Sequence, residues 1–163
     1  MRGIDLALAV MLASSSANAA GPSPFVEGSW SQLRDAHKGR PVIVHFWGMT
    51  CGPCLAELPK WGEFAQKNNK ADLVLVEADP FETGAGRETS AAANVLAKAN
   101  LGAVERWAFA SRFEERLRYE VDPVWQGEMP FTVIIAKNGE TEAFSGEADF
   151  AAIEEWLARR DAL

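Results

Sequence analysis

Runs of apolar and β-branched residues predict the strands of this chain. The three strong runs are residues 42–47, 73–78 and 131–136, and a weaker run covers residues 106–110. Because the strong runs are apolar at nearly every position, we expect strands that are covered on both faces of a sheet. Asn138-Gly139 is a hairpin-turn signal, so residues 141–144 are predicted to return antiparallel to the third strong run.

Helix start and stop signals lie between these runs. They predict helices over residues 29–37, 51–69, 89–100 and 111–119. Ser29, Thr89 and Ser111 are the expected caps, the last with Glu114 in a capping box. Apolar residues recur along one face of a final helix over residues 148–160. This order of elements predicts an α/β fold with a mixed central sheet, helices on both faces and a C-terminal antiparallel hairpin.

The amino-terminal segment is predicted to be a signal peptide. Arg2 gives a basic start, residues 6–13 are apolar but too few to span a bilayer, and residues 14–19 end in a small-x-small cleavage pattern. The expected signal peptide, linker and single domain are residues 1–19, 20–28 and 29–163. The alternative is an uncleaved membrane anchor. Cleavage implies a periplasmic protein, in a compartment where disulfides persist.

Composition narrows the class of function. The chain is 48% hydrophobic and 24% charged, which is ordinary for a globular protein, and it carries a net charge of −7. It has no basic run, so a nucleic-acid partner is not expected. We expect a monomer without a bound cofactor.

The chain has two cysteines, Cys51 and Cys54, separated by Gly52-Pro53. A disulfide across so short a loop removes little chain entropy, which makes it a poor structural staple. A closed zinc site needs about four ligands, and only His37 and His45 are available besides the pair. A redox role fits better, because the pair follows a predicted buried strand and opens a helix. A helix N-terminus stabilises a thiolate, so Cys51 is the predicted nucleophile and Cys54 the resolving thiol.

Several motifs together resemble those of the thioredoxin fold. They are Phe46-Trp47 before the cysteine pair, Pro59 after it, Met129-Pro130 before a strand, and Asn138-Gly139 in the final hairpin. The signal peptide and Glu57-Leu58-Pro59 are similar to the TlpA-like branch of secreted bacterial thioredoxins, whose pattern is a cysteine pair followed by E-x-P. The resemblance covers about residues 25–160.

This resemblance implies a thiol-disulfide oxidoreductase with a redox-active Cys51–Cys54 disulfide. Pro130 would be a cis-proline, and the Met129 backbone would pair with a substrate peptide. Trp47 would pack beside the cysteines as part of the substrate-binding set. Glu57 would lie below the pair and help to move a proton.

Two positions depart from the family pattern. Thr50 stands directly before the first cysteine, where an aromatic residue is usual, and predicts a more polar substrate-binding rim. His45 stands where cytosolic thioredoxins have a buried aspartate. As a neutral imidazole it would accept the Cys54 proton, and as a cation it would favour thiolates. The alternative is a core histidine that is bonded to backbone.

Three functions follow from the cysteine pair. The first is an exported disulfide reductase that acts on protein disulfides and receives electrons from a membrane partner. The Gly-Pro dipeptide between the cysteines is typical of reducing thioredoxins and favours it. The second is an oxidase or isomerase, which runs the same chemistry in the other direction. The third is a Cu(I)-binding module made from the soft donors Met49, Cys51, Cys54 and Met129.

Overall fold

The computed structural model describes residues 21–80 and 90–161, which form one sheet and five helices. The strands are β1 (Ser23–Phe25), β2 (Val42–Trp47), β3 (Asp72–Glu77), β4 (Glu105–Phe109), β5 (Phe131–Ile135) and β6 (Thr141–Ser145). The helices are α1 (Ser29–Ala36), α2 (Gly52–Lys67), α3 (Ser90–Lys98), α4 (Glu114–Val121) and α5 (Phe150–Asp161). The predicted signal peptide and the predicted cap Thr89 lie outside the described residues.

The sheet is mixed, and β2 lies inside it. The strand order is β1-β4-β3-β2-β5-β6. β2 pairs parallel with β3 and antiparallel with β5, and β5 and β6 form the predicted hairpin. All six residues of β2 are buried, as expected for a strand with neighbours on both edges and helices on both faces.

Two hydrophobic cores cover the two faces of the sheet. On one face, Ile43 and Trp47 pack with apolar residues of α2, α3 and α5. On the other face, Val44 and Phe46 pack with residues of α1 and α4. This division follows from the period of two along a strand. The predicted fold class is therefore confirmed. In the part of the chain that the structure describes, no helix has the length and apolar character of a membrane span.

The predicted linker contains an edge strand. Ser23–Phe25 form β1, which pairs parallel with β4. Phe25 is fully buried and stacks on Phe109, with ring centroids 5.3 Å apart. The linker prediction is therefore wrong for these residues, because one buried aromatic side chain attaches a segment that is too short to show a strand pattern.

Two of the predicted helix caps are also wrong. α1 begins at Ser29 itself, after Gly28 in the left-handed region with a φ of 84°. The Ser29 hydroxyl bonds within the preceding turn. α4 begins at Glu114, and the Ser111 hydroxyl donates to the Glu27 carboxylate at 2.8 Å. Both hydroxyls are engaged outside the helices that they were expected to cap.

Gly62 allows α2 to pass close to the end of α3. A Cβ atom at this position would lie 1.7 Å from the Ala99 carbonyl oxygen, which is far inside contact distance. Both residues are buried, so neither backbone is free to move into solvent. This contact holds α2, and with it the cysteine pair, against the rest of the helical layer.

Candidate active site

The Cys51–Cys54 pair lies at the start of α2, just after β2. Cys51 has an extended backbone and caps α2, and its sulfur accepts the Cys54 N–H at 3.2 Å. A disulfide joins the two residues, whose Cα atoms are 5.2 Å apart. Cys51 is partly exposed, whereas Cys54 is fully buried. Of the two sulfurs, only that of Cys51 lies where an incoming group can reach it.

The first turn of α2 creates the electrostatic setting of Cys51. Gly52 and Pro53 begin the helix, and proline is favourable there because its missing N–H is not needed in the first turn. The N-terminal end of a helix carries partial positive charge, which favours a thiolate. Cys51 as the nucleophile and Cys54 as the resolving thiol stay predictions.

The peptide bond between Met129 and Pro130 is cis, as the resemblance implies. β5 begins at Phe131, which pairs with Phe46 near the C-terminal end of β2. Pro130 therefore lies at the same end of these strands as the cysteine pair. Trp125 anchors the loop before this bond by donating its indole N–H to the Glu128 carbonyl at 2.9 Å. The structure thus brings the cysteines and the proline together.

A buried polar cluster adjoins the core that contains the pair. The rings of His45 and Trp61 lie 4.6 Å apart between centroids. His45 Nδ1 lies 3.0 Å from the Thr132 hydroxyl, and Nε2 lies 3.8 Å from Glu57 Oε2. Glu57 Oε1 accepts the Ala148 N–H. Within the described residues, His45 Nε2, Glu57 Oε2 and Trp61 Nε1 are buried without a hydrogen-bond partner.

Burial determines the protonation of His45. Its side chain is fully buried, and loss of solvation lowers its pKa to about 3. The imidazole is therefore neutral at neutral pH, so a cationic His45 that favours thiolates is not supported. Such a low pKa also makes the ring a weak proton acceptor for Cys54. Its observed partner is the Thr132 side chain rather than backbone.

Glu57 is better suited to proton transfer. The residue is 2% exposed, and burial raises the pKa of its carboxyl, although the Ala148 N–H opposes this effect. Cys54 and Glu57 are three residues apart on α2 and therefore share one helix face. A carboxyl whose pKa moves towards neutrality can exchange a proton with a thiol more readily than an ordinary glutamate.

Two predicted substrate-binding residues have other contacts. Trp47 is 1% exposed and packs in the same core as Cys54, so it supports the pair from inside and offers no surface to a substrate. Thr50 is exposed, as a rim residue should be, but its hydroxyl donates inward to Asp79 at 2.6 Å. The hydroxyl of Thr50 is therefore already engaged within the protein, and a polar substrate-binding rim stays a prediction.

Sequence reasoning missed Asp79. This residue follows β3 and is 5% exposed. It accepts hydrogen bonds from the Met49 N–H and from the N–H and hydroxyl of Thr50. The available signal was an aspartate close after a strand predicted to be buried. Because β2 and β3 are parallel, their C-terminal ends lie side by side, at the end of the sheet that carries the cysteines.

Met49 and Met129 are partly buried and pack against the core that contains Cys54. Among residues 21–80 and 90–161, no group of three or more His, Cys, Asp or Glu side chains is placed to hold a metal ion. The Cu(I) hypothesis therefore rests on the two cysteines and two methionines, and it stays a prediction.

The mixed sheet, the cysteine pair at the start of α2 and the cis-proline before β5 define a thioredoxin fold. Solved structures agree. A thiol:disulfide interchange protein DsbE from Chlorobium tepidum superimposes with a TM-score of 0.57 and 22% identity, covering 77% of this chain and 83% of that chain. A thiol-disulfide isomerase from Corynebacterium glutamicum gives a TM-score of 0.58 and 12% identity, covering 78% and 84%. At these identities the likeness establishes the fold alone.

Sequence comparison points to the same class of protein over a shorter stretch. The chain is 34% identical over 58 residues to the thiol-disulfide oxidoreductase ResA of Bacillus thuringiensis, which is 36% of this chain and 33% of the relative. The chain thus spans about a third of the length of the curated relatives that it matches. No family model matches it.

Proposed function

We propose that this chain is an exported thiol-disulfide oxidoreductase that reduces disulfides in protein substrates. The observation that carries the proposal is the asymmetric pair, with Cys51 partly exposed at a helix N-terminus and Cys54 fully buried. Similarity to ResA supports the same chemistry. The signal-peptide pattern of residues 1–19 supports export to the periplasm. A dithiol partner in the membrane would supply the electrons.

The reaction consists of two thiol-disulfide exchanges. The Cys51 thiolate attacks one sulfur of the substrate disulfide, forms a mixed disulfide and releases the other substrate sulfur as a thiolate, which takes up a proton. Cys54 then gives up its proton and attacks the Cys51 sulfur, which releases the second substrate sulfur. The substrate gains two electrons and two protons, and the protein is left with its disulfide. The membrane dithiol returns two electrons by the same exchange in reverse.

Glu57 and the Met129–Pro130 segment have supporting roles in this scheme. Glu57 accepts the proton of Cys54 during the second exchange, since it shares a helix face with that residue and its pKa is raised by burial. The backbone at Met129 binds the substrate peptide in an extended conformation beside the cysteine pair.

Trapping of the mixed disulfide tests the function. Cys54→Ser removes the resolving thiol, so the full chain expressed in its natural host should accumulate disulfide-linked adducts that a reductant releases. Cys51→Ser is the matched control, because it leaves only the buried sulfur and should give no adducts. Adducts with Cys51→Ser but not with Cys54→Ser would reverse the two roles. No adducts with either variant, and no exchange by the wild type, would end the proposal.

The direction of exchange follows from the reduction potential. Purified wild-type protein is equilibrated with reduced and oxidised glutathione, and its dithiol fraction is measured. A potential well below that of the glutathione couple supports a reductase. A strongly oxidising potential would assign the same chemistry to an oxidase or isomerase.

Export is tested on the full-length chain. Cell fractionation should recover it from the periplasm with a mass that corresponds to cleavage after Ala19. An uncleaved protein in the membrane fraction would instead indicate an anchor.

A Cu(I)-binding role is the second candidate, because Met49 and Met129 pack against the core that contains Cys54. The reduced protein would then offer two thiolates and two thioethers as soft donors. Anaerobic titration with Cu(I) against a competing chelator tests this function. Tight binding that Met49→Leu weakens would support it, and weak binding that Met49→Leu leaves unchanged would exclude it.

A further inference from the structure

A single carboxylate ties the loop that leads into the cysteine pair to the end of β3. Asp79 Oδ2 accepts the Met49 N–H. Its Oδ1 accepts the Thr50 hydroxyl at 2.6 Å and the Thr50 N–H at 3.3 Å. Asp79 is 5% exposed, so the carboxylate is largely shielded from water, whereas Thr50 is exposed. The Asp79 side chain thus joins the loop after β2 to the loop after β3, at the end of the sheet that carries the cysteine pair.

The packing around Gly48 leaves room for this carboxylate. A Cβ atom on Gly48 would lie 2.5 Å from Asp79 Oδ1 and 3.1 Å from Oδ2, so only glycine fits without displacement. The Gly48 carbonyl in turn accepts the Cys51 N–H at 3.2 Å. The three backbone N–H groups of residues 49–51 are therefore all committed to oxygen acceptors.

We propose that Asp79 is a positioning residue that makes the reduced Cys51 favour the thiol over the thiolate. Its carboxylate binds N–H groups beside Cys51 that would otherwise be able to turn towards a thiolate. It also places a negative charge beside Thr50, close to Cys51. This charge repels the negative charge of a Cys51 thiolate. The inference rests on the proposed function and deepens it, because it names a residue that adjusts the exchange reaction.

The two effects act on the redox equilibrium in one direction. A less stable thiolate makes the dithiol form less stable relative to the disulfide, which lowers the reduction potential and makes the protein a stronger reductant. The helix N-terminus pulls the Cys51 pKa down, and Asp79 opposes it. Among the described residues, the other titratable side chains at this end of the sheet and in the first turns of α2 include Cys54, Glu57, His45, Glu77 and Glu128.

Titration of one thiol tests this assignment. In a Cys54→Ser background Cys51 is the chain's single cysteine, and its thiolate is followed by ultraviolet absorbance as the pH is raised. Adding Asp79→Asn removes the charge and one of the two acceptor oxygens. We expect a lower Cys51 pKa, with a thiolate fraction about threefold to tenfold higher at a pH below both pKa values. In the two-cysteine protein, Asp79→Asn should raise the reduction potential, by ~30 mV for each tenfold change in the equilibrium with glutathione.

Asp72→Asn is the matched control, because it removes the same group from the opposite end of β3. It should leave the Cys51 pKa unchanged. If Asp79→Asn does not fold, Thr50→Val provides the test: it removes one donor from the carboxylate without removing the charge, so the Cys51 pKa should rise.

An unchanged or higher Cys51 pKa in Asp79→Asn would overturn the inference, as would an equal fall in Asp72→Asn or a fall in Thr50→Val. These outcomes do not depend on catalysis. Absence of exchange by the wild type would overturn the proposed function and leave the titration result standing.

Discussion

Replacement of His45 by glutamine should weaken the dependence of the protein's stability on acid. The folded protein keeps His45 neutral because burial lowers its pKa to about 3, from an ordinary value of 6.5. An unfolded chain protonates the same imidazole near its ordinary pKa. Between these two values the unfolded chain binds more protons, so the free energy of unfolding falls as the pH falls. Glutamine has no such proton to bind, and its amide can still meet the Thr132 hydroxyl.

The size of the effect follows from the two pKa values. At ~1.4 kcal/mol per pH unit, a pKa that falls from 6.5 to about 3 means that protonation of the unfolded chain removes up to roughly 5 kcal/mol of stability once the pH is below both values. Roughly 3 kcal/mol of this should be lost between about pH 6.5 and pH 4. Glu57 acts with the opposite sign, since burial raises its pKa and acidification then favours the folded state. It is present in both proteins, so its contribution largely cancels in the comparison.

Urea denaturation at a series of pH values measures this difference, with the Cys51–Cys54 disulfide kept oxidised. The free energy of unfolding of the wild type should fall more steeply than that of His45→Gln by roughly 3 kcal/mol over that interval. Parallel curves for the wild type and His45→Gln would refute the reasoning, because they would mean that His45 is protonated equally in both states.

Two further substitutions test the packing and the surface. Gly62→Ala should lower the free energy of unfolding, measured in urea, by about 3 kcal/mol or more. Its Cβ would lie 1.7 Å from the Ala99 carbonyl oxygen, and a buried backbone cannot move far enough to relieve this overlap. Gly102→Ala is the control, since its Cβ would have only one ordinary contact, at 3.8 Å; equal losses would contradict the close approach. Arg40→Ala should barely change the urea midpoint, because the Arg40–Asp72 ion pair is solvated. A loss of stability as large as that of Gly62→Ala would contradict this expectation.

The sequence predicted most of the fold because most of it is specified locally. β2 and β5 are buried along their whole length and are apolar at all positions but His45 and Thr132, which is the pattern of strands covered on both faces. The Asn138-Gly139 turn and the apolar face of α5 are equally local. In contrast, β1 has three residues and is attached by burial of Phe25, a contact with no local signal.

Long-range contacts explain what the sequence did not predict at the site. The Asp79 bonds to residues 49 and 50 depend on the parallel register of β2 and β3. The 3.8 Å approach of His45 and Glu57 depends on how α2 crosses the sheet. The Cys51–Cys54 pair was predictable from a short local motif, whereas the cis-proline before Phe131 was expected only from the resemblance to the thioredoxin fold.

The burial of Cys54 has a consequence for the order of events. For the exchange proposed here, an electron donor that reduces the disulfide and a client that is later reduced must both bond to the same atom, the Cys51 sulfur. The two partners therefore exclude each other, and each must leave before the other can bind. Turnover should then follow ping-pong kinetics, with parallel lines in double-reciprocal plots and with competition between donor and client at high concentration.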